Sequence, residues 1–444
     1  MAFGTAIITS AVIVQLMIGQ SFEQPKAPSH PPTPLSPPRS ICRGAVPGRY
    51  PIFTQPSAQQ PGDAQPADVL VPYKVLYLID GTMQQSYKTI VEQATRYAAD
   101  RLYNLFQAYR LTEIRYPTYQ RRNEPDICDP ACDPDMNMPA EFSLPCPVSA
   151  QDPPVDNPTP RVRQLNSENY TLVMWVIVSA DGTDQANKTG HDCFPDSLAF
   201  AGACGYNPIT LRPERGRAVI CEKPTEKNLQ RLGHIMIHET LHAILPTLVG
   251  LYLPTLCPFN PSLTLQEMLN SCENKGWKKV IHNWLRPDGQ RHAIERYVAI
   301  GDTIVKAAKD HFKCDRVEGA PIQYKLNMQT GSIEPDFMHW STELLPEELL
   351  SPYESLSARL SMFTLSAIAF HSAWYKNVDF SKAERMTVDP PEKEFGCDIF
   401  EKGCYEIIQA HKGQPNANFI QPFCDRDQGP SRVLSVRGKS CIVV

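Results

Sequence analysis

Apolar positions recur along the chain at two periods, and the period changes mark its elements. From Tyr73 to Ile79 they crowd into a short run that Asp80-Gly81 closes, which predicts a strand and a turn. Between Ser86 and Tyr109 the residues Ile90, Val91, Ala94, Tyr97, Ala98, Leu102 and Phe106 recur at helical spacing and predict an amphipathic helix. Tyr170 to Val178 is almost unbroken in its hydrophobicity and predicts a strand buried on both faces. The stretch from His191 to Cys221 carries three cysteines and is expected to be loop-rich. A helical pattern resumes near Asn228 and runs to Pro246, which has no amide hydrogen to give and ends it. Beyond Pro246 the pattern weakens. Leu263–Leu269, Trp277–Trp284 and Ile294–Phe312 are expected as helices. Ser355–His371 is a further one, carrying Leu356, Leu360, Phe363, Thr364, Ala367 and Ile368. Strand, helix, strand, loop and helix in that order predict an α+β fold with a mixed sheet backed by helices.

Composition narrows the setting. A chain of 444 residues can hold two or three lobes and a sizeable core. Its net charge of −5, with no long basic run, argues against a nucleic-acid partner. Fourteen cysteines are spread over nearly the whole length, and only Cys128 and Cys132 sit close together. That spacing suits disulfides in an oxidising compartment better than a four-cysteine metal site. Residues 1–21 are largely apolar and end in small residues, as a signal peptide does, although no Lys or Arg precedes the apolar stretch. Between Ser21 and Leu70 twelve of fifty residues are proline, so 22–70 reads as a leader or pro-segment that cannot bury a core. Cys42 is the residue there that could hold a metal site latent. Asn169-Tyr170-Thr171 and Asn187-Lys188-Thr189 are glycosylation sequons. No later stretch reaches the length of apolar sequence needed to span a bilayer. The remaining segments divide at 71–250, 251–329 and 330–444, the last with a cysteine-rich tail from Asp379.

The helix before Pro246 carries the candidate chemistry. His238-Glu239-Thr240-Leu241-His242 puts two imidazoles one turn apart on one helical face, where both can reach a single Zn²⁺. Glu239, next to the first of them, would take a proton from a water activated there. The bland alternative is a polar stripe on a core helix whose histidines bond nearby carbonyls. His234 lies four residues earlier on the same face and is expected to be structural or supporting. A zinc site needs a third ligand. Spacing leaves His282, His292, His311, His339, His371 and His411 open.

Several further blocks stand in a recognisable order. Leu198 to Cys204 and Arg212-Pro213 through Cys221 precede the His238–Ile244 block. Met338-His339-Trp340, Glu348-Leu349-Leu350-Ser351-Pro352, Ala373-Trp374-Tyr375, Ala383-Glu384 and Gly396-Cys397 with Cys404 follow it. With these, residues 72 to 425 resemble the leishmanolysin family of zinc endopeptidases. The resemblance implies His238, His242 and His339 as ligands of one Zn²⁺ per chain, and Glu239 as general base. It implies a metzincin-type zincin with an active-site helix, an inserted subdomain and a disulfide-rich C-terminal region. It also implies a secreted or surface-associated enzyme acting on proteins or peptides, extracellular matrix or host proteins among them. Two positions depart from the family pattern. Leu245 stands where the family usually has a glycine, and Leu350 stands where it has the methionine of the turn beneath the metal. They motivate an alternative, a protease-like adhesion or binding protein with little turnover.

Overall fold

The computed structural model describes residues 69–80, 83–111, 113–115, 118–119, 127–128, 162–164, 169–179, 193, 198–207, 210–251, 253, 256–257, 265–286, 288–326, 333–342, 344–345, 347–352, 358–386 and 396–411. The expected signal peptide, nearly all of the leader with Cys42, the Asn187 sequon and the tail after 411 lie outside these residues.

Strand β1 (Leu70–Pro72) leads into β2 (Val75–Ile79), which forms where the apolar run predicts it. Helix α1 (Gln85–Leu102) begins on schedule but stops well short of Tyr109. Tyr103 is extended and Asn104 takes a left-handed φ of 58°, a conformation asparagine tolerates better than most residues. The chain therefore turns back as β3 (Gln107–Tyr109), and Phe106 reaches the core from a bend rather than from a helix face. Strand β4 (Leu172–Val178) is buried along nearly its whole length, as its continuous apolar sequence requires.

The expected loop between His191 and Cys221 is instead mostly a hairpin of two long strands, β5 (Ala199–Tyr206) and β6 (Pro213–Ile220), with Cys193 bonded to Cys221. Its small residues give no β-branched signal, but smallness is what the packing demands. A Cβ on Gly216 would stand 2.4 Å from the Met174 sulfur and 2.6 Å from the Ala243 Cβ. The sheet order is β2-β4-β6-β5, parallel except for β5, which pairs antiparallel on the edge. Helix α2 (Leu229–Ile244) packs against β5, β6 and α1. The two helices approach closely because residue 233 is glycine: a Cβ there would lie 2.6 Å from the Tyr97 ring.

After Pro246 the expectations are corrected in part. Helix α3 (Leu265–Ser271) matches, but Trp277–Trp284 is not helical: it lies in strand β7 (Trp277–Leu285). Ile294–Phe312 divides into β8 (Arg291–Ala299) and α4 (Asp302–Phe312). The break falls at Gly301, which packs against the Phe370 ring so tightly that a Cβ would come within 2.4 Å. Burial alternates along β7 and β8, the period of a half-exposed hairpin, with Trp277 opposite Ala299 and Leu285 opposite Arg291. Strands β9 (Ala320–Leu326) and β10 (Ile333–Trp340) complete an antiparallel sheet in the order β7-β8-β9-β10.

Helix α5 (Met362–Phe370) starts later than Ser355 because Ser361 caps it, accepting the Phe363 N–H through its hydroxyl. Strand β11 (Tyr375–Lys376) then adds to β3, which pairs on its other side with β1. Helix α6 (Cys404–His411) lies in the tail, which is tied back by Cys314–Cys397; Cys257–Cys272 closes the region after α2. The fold is thus mixed α+β and disulfide-bonded. One continuous core takes residues from all three segments that the sequence separates. Among the described residues, no helix is long and apolar enough to cross a membrane.

Candidate metal centre

Helix α2 holds His238 and His242 one turn apart because it is fixed along its length. The Thr240 hydroxyl donates to the Met236 carbonyl at 2.6 Å and accepts from the Tyr77 hydroxyl of β2 at 2.8 Å. At the C-terminus, Leu245 donates its N–H to the Leu241 carbonyl, and the Tyr375 hydroxyl donates to the Ile244 carbonyl at 2.9 Å. Leu245 leaves the helix at φ −113° and ψ 88°. That is backbone any L-residue adopts, so no glycine is required there. Its side chain is buried in the core instead.

His339 arrives from the opposite sheet. The β9–β10 register shifts beside it: Gln323 pairs with Asp336 and Ile322 with Trp340, leaving residues 337–339 as a bulge. Bulges re-aim side chains, and here the bulged Phe337 carbonyl accepts the Leu248 N–H just beyond α2. The three rings meet as a result. His242 Nε2 lies 2.9 Å from His238 Nε2 and 3.1 Å from His339 Nε2. These histidines form a group that could hold a metal ion, two of them buried and His238 part-buried.

The proton positions decide whether such an ion fits. His238 Nδ1 is 2.6 Å from the Leu349 carbonyl, and His339 Nδ1 is 2.8 Å from an Asp336 carboxylate oxygen. Both partners only accept, so each Nδ1 carries the hydrogen and each Nε2 presents a lone pair. His242 Nε2 faces both lone pairs and could donate to just one, while its own Nδ1 is buried without a partner. A cation among the three nitrogens satisfies all of them. Zinc–nitrogen bonds of about 2.0–2.1 Å in a tetrahedral site place ligand nitrogens about 3.3 Å apart, close to what is seen. Burial, and secondarily His339, lowers the His238 pKa to about 4; burial and both neighbouring imidazoles push His242 well below its usual value. Both stay neutral, which is the ligand form.

Glu239 is 5% exposed, and one carboxylate oxygen, Oε2, has no hydrogen-bond partner. Burial alone raises its pKa to about 8. A carboxyl in that range can take a proton and return it near neutral pH.

His234 stands apart from the group: its Nε2 is 3.1 Å from the Tyr97 hydroxyl. His282, His292, His311 and His371 do not join it either. Sequence reading missed two partners of the site. Asp336 sits three residues before His339, a spacing that means nothing on a regular strand and gains its sense from the bulge. The Leu349 carbonyl is backbone and leaves no trace in the side-chain pattern. Leu350 is buried, and its carbonyl accepts the Trp340 N–H at 3.0 Å, next to the third histidine.

No protein-family model matches the chain. Among curated proteins it is similar to a protein named leishmanolysin-like peptidase from Drosophila pseudoobscura pseudoobscura, at 27% identity over 253 residues, covering 53% of this chain and 35% of that one. A leishmanolysin-like peptidase of Caenorhabditis elegans is 24% identical over 253 residues, covering 52% and 35%. The chain spans about a third of the length of these relatives.

Proposed function

The chain belongs to the leishmanolysin family, and on that footing we propose that it is a secreted zinc-dependent endopeptidase hydrolysing peptide bonds in proteins. The observation that carries this reading is the convergence of three imidazole nitrogens, two of them with their tautomers set by acceptors behind them, beside a buried carboxylate with a free oxygen. His238, His242 and His339 would hold one Zn²⁺, and Glu239 would be the general base. The segments 71–250, 251–329 and 330–444 would be the catalytic, inserted and C-terminal subdomains of a metzincin-type fold. Three disulfides among the described residues support an oxidising, extracellular setting.

When bound, zinc supplies the Lewis acidity that acidifies a water and polarises the scissile carbonyl. The chain's own residues do the rest. Glu239 takes the proton of the attacking water on its free oxygen and delivers it to the departing amine, so the carboxylate is regenerated at the end of the cycle. Leu349 and Asp336 keep the His238 and His339 rings in one tautomer and orientation. Tyr77 at Thr240 and Tyr375 at Ile244 keep α2, and so the Glu239 carboxylate, in place within the motif and just beyond it.

The reading of a binding protein without turnover drew on Leu245 and Leu350. Leu245 has ordinary backbone geometry, and Leu350 packs in the core, so neither position argues for a damaged site. The deciding experiment compares the wild type with Glu239→Gln on a denatured protein substrate. Wild-type cleavage should stop on chelation and return with zinc, and the variant should bind zinc while cutting about 10²–10⁴-fold more slowly. Cleavage by the variant at the wild-type rate would remove Glu239 from the mechanism.

A further inference from the structure

Another buried carboxylate, that of Glu348, lies outside the histidine group. Glu348 is 1% exposed and is surrounded by donors. The hydroxyl of Ser361 donates to one of its oxygens and that of Thr364 to the other. These donors, rather than a salt bridge, satisfy its oxygens. The turn that follows is tied separately, the Leu349 N–H donating to the Arg359 carbonyl at 2.9 Å.

Glu348, its two hydroxyl donors and the turn after it lead on to the surroundings of two of the histidines and to the start of α5. Leu349, the residue after Glu348, supplies the carbonyl that accepts the His238 Nδ1 hydrogen. Leu350 accepts the backbone N–H of Trp340, the residue after His339. Thr364 accepts the Trp340 indole N–H at 3.2 Å. Ser361 caps α5 through the Phe363 N–H. One carboxylate therefore joins the turn that orients one histidine to the strand that delivers another, although the two come from elements nearly a hundred residues apart. An apolar residue at 348 could fill the same volume but would leave the Ser361 and Thr364 hydroxyls without this acceptor.

Resting on the zinc reading above, we infer that Glu348 is a positioning residue of the metal centre, setting the relative placement of His238 and His339. It contacts no reacting atom. Its influence passes through the Leu349 carbonyl on one side and through Thr364, Leu350 and Trp340 on the other.

The test uses the full chain, Zn²⁺ competed against a chelator, and Co²⁺ as a spectroscopic stand-in. Glu348→Gln keeps the shape but turns an NH₂ group toward hydroxyls that need an acceptor. Zinc affinity should fall about 10–100-fold, the range seen when partners behind a ligand are removed. The visible bands of the cobalt form should shift, and kcat should fall with KM nearly unchanged. Thr364→Val removes the hydroxyl between Glu348 and the Trp340 indole but leaves the Leu349 carbonyl on His238, so it should give a smaller affinity loss and a smaller cobalt shift. The two substitutions together should cost less than the product of the separate losses, because they break one connected path. A lowered melting temperature with wild-type zinc affinity and an unmoved cobalt spectrum would mean that Glu348 is merely structural. Should Glu348→Gln fail to fold, the same two readouts on Thr364→Val decide: unchanged values overturn the inference. A wild type that takes up no zinc would sink the metal-site reading and this inference together. A wild type that binds zinc beside variants that bind it equally well overturns the inference alone.

Discussion

The two halves of the site are built in opposite ways. His238 and His242 stand on one helix, and their separation follows from the pitch of α2; once the helix forms they cannot miss each other. His339 stands on β10, and its position depends on a register shift, an aspartate three residues back and the turn at 348–351. The helical half is local and is stabilised by apolar packing on most sides. The strand half is non-local and is held by buried polar groups. The contrast teaches that the helix sets the spacing of two imidazoles, whereas the strand half decides whether the third joins them.

Three substitutions or titrations can break or sharpen that contrast. The largest effect should come from the end of the helical half. Leu245→Gly removes a buried side chain and adds backbone freedom at a position with ordinary φ, so thermal or denaturant unfolding should show a loss of about 3–5 kcal/mol. A gain in stability would mean that the helix exit prefers the glycine conformation after all.

A pH titration probes the element behind the strand half. His371 ends α5 fully buried, and burial lowers its pKa to about 4 while the Ala367 carbonyl opposes the shift. The unfolded chain binds this proton near pH 6.5 and the folded one only near 4, so the stability it supports is intact above 6.5 and lost as the pH falls to 4. Over that window the loss is about 3 kcal/mol. His371→Leu should flatten this part of the stability curve, and an unchanged curve would show that the ring is solvated or paired. The smallest effect belongs to Asp336→Asn. It weakens the hold on His339 while leaving α2 untouched, so zinc affinity should fall about 10–100-fold, by roughly 1.4–2.7 kcal/mol, without a change in helix content. Unchanged affinity would place the burden of orienting His339 elsewhere.

Legibility followed the same division. The β2 and β4 runs could be read from their continuous hydrophobicity and α2 from its helical period. Spacing alone put both α2 histidines on one face beside Glu239, and left open whether they hold a metal or bond nearby carbonyls. The β5–β6 hairpin is hidden because Ala199, Ala201, Gly202, Ala203, Gly205 and Gly216 carry no strand signal, and at Gly216 the close approach of Met174 and Ala243 leaves no room for a side chain. Strands β7 and β8 read as helices because Trp277–Trp284 is too short to fix a period and Ile294–Phe312 runs the end of β8 together with α4. The alternation that distinguishes them shows in burial rather than in sequence. His339 could not be chosen from the residues at all: six downstream histidines were open, and the family resemblance picked the one that the bulge at 337–339 turns toward α2. Asp336, Leu349 and Glu348 act through tertiary contacts, and no local pattern announces them.

The most direct test of the account is X-ray absorption at the zinc edge of the purified chain, paired with metal counting in the wild type and in His339→Ala. The account predicts one zinc per chain with three imidazole nitrogens at about 2.0–2.1 Å, and loss of one of them in the variant together with most of the affinity. A wild-type zinc with only two imidazoles, or a variant spectrum identical to the wild type, would contradict it.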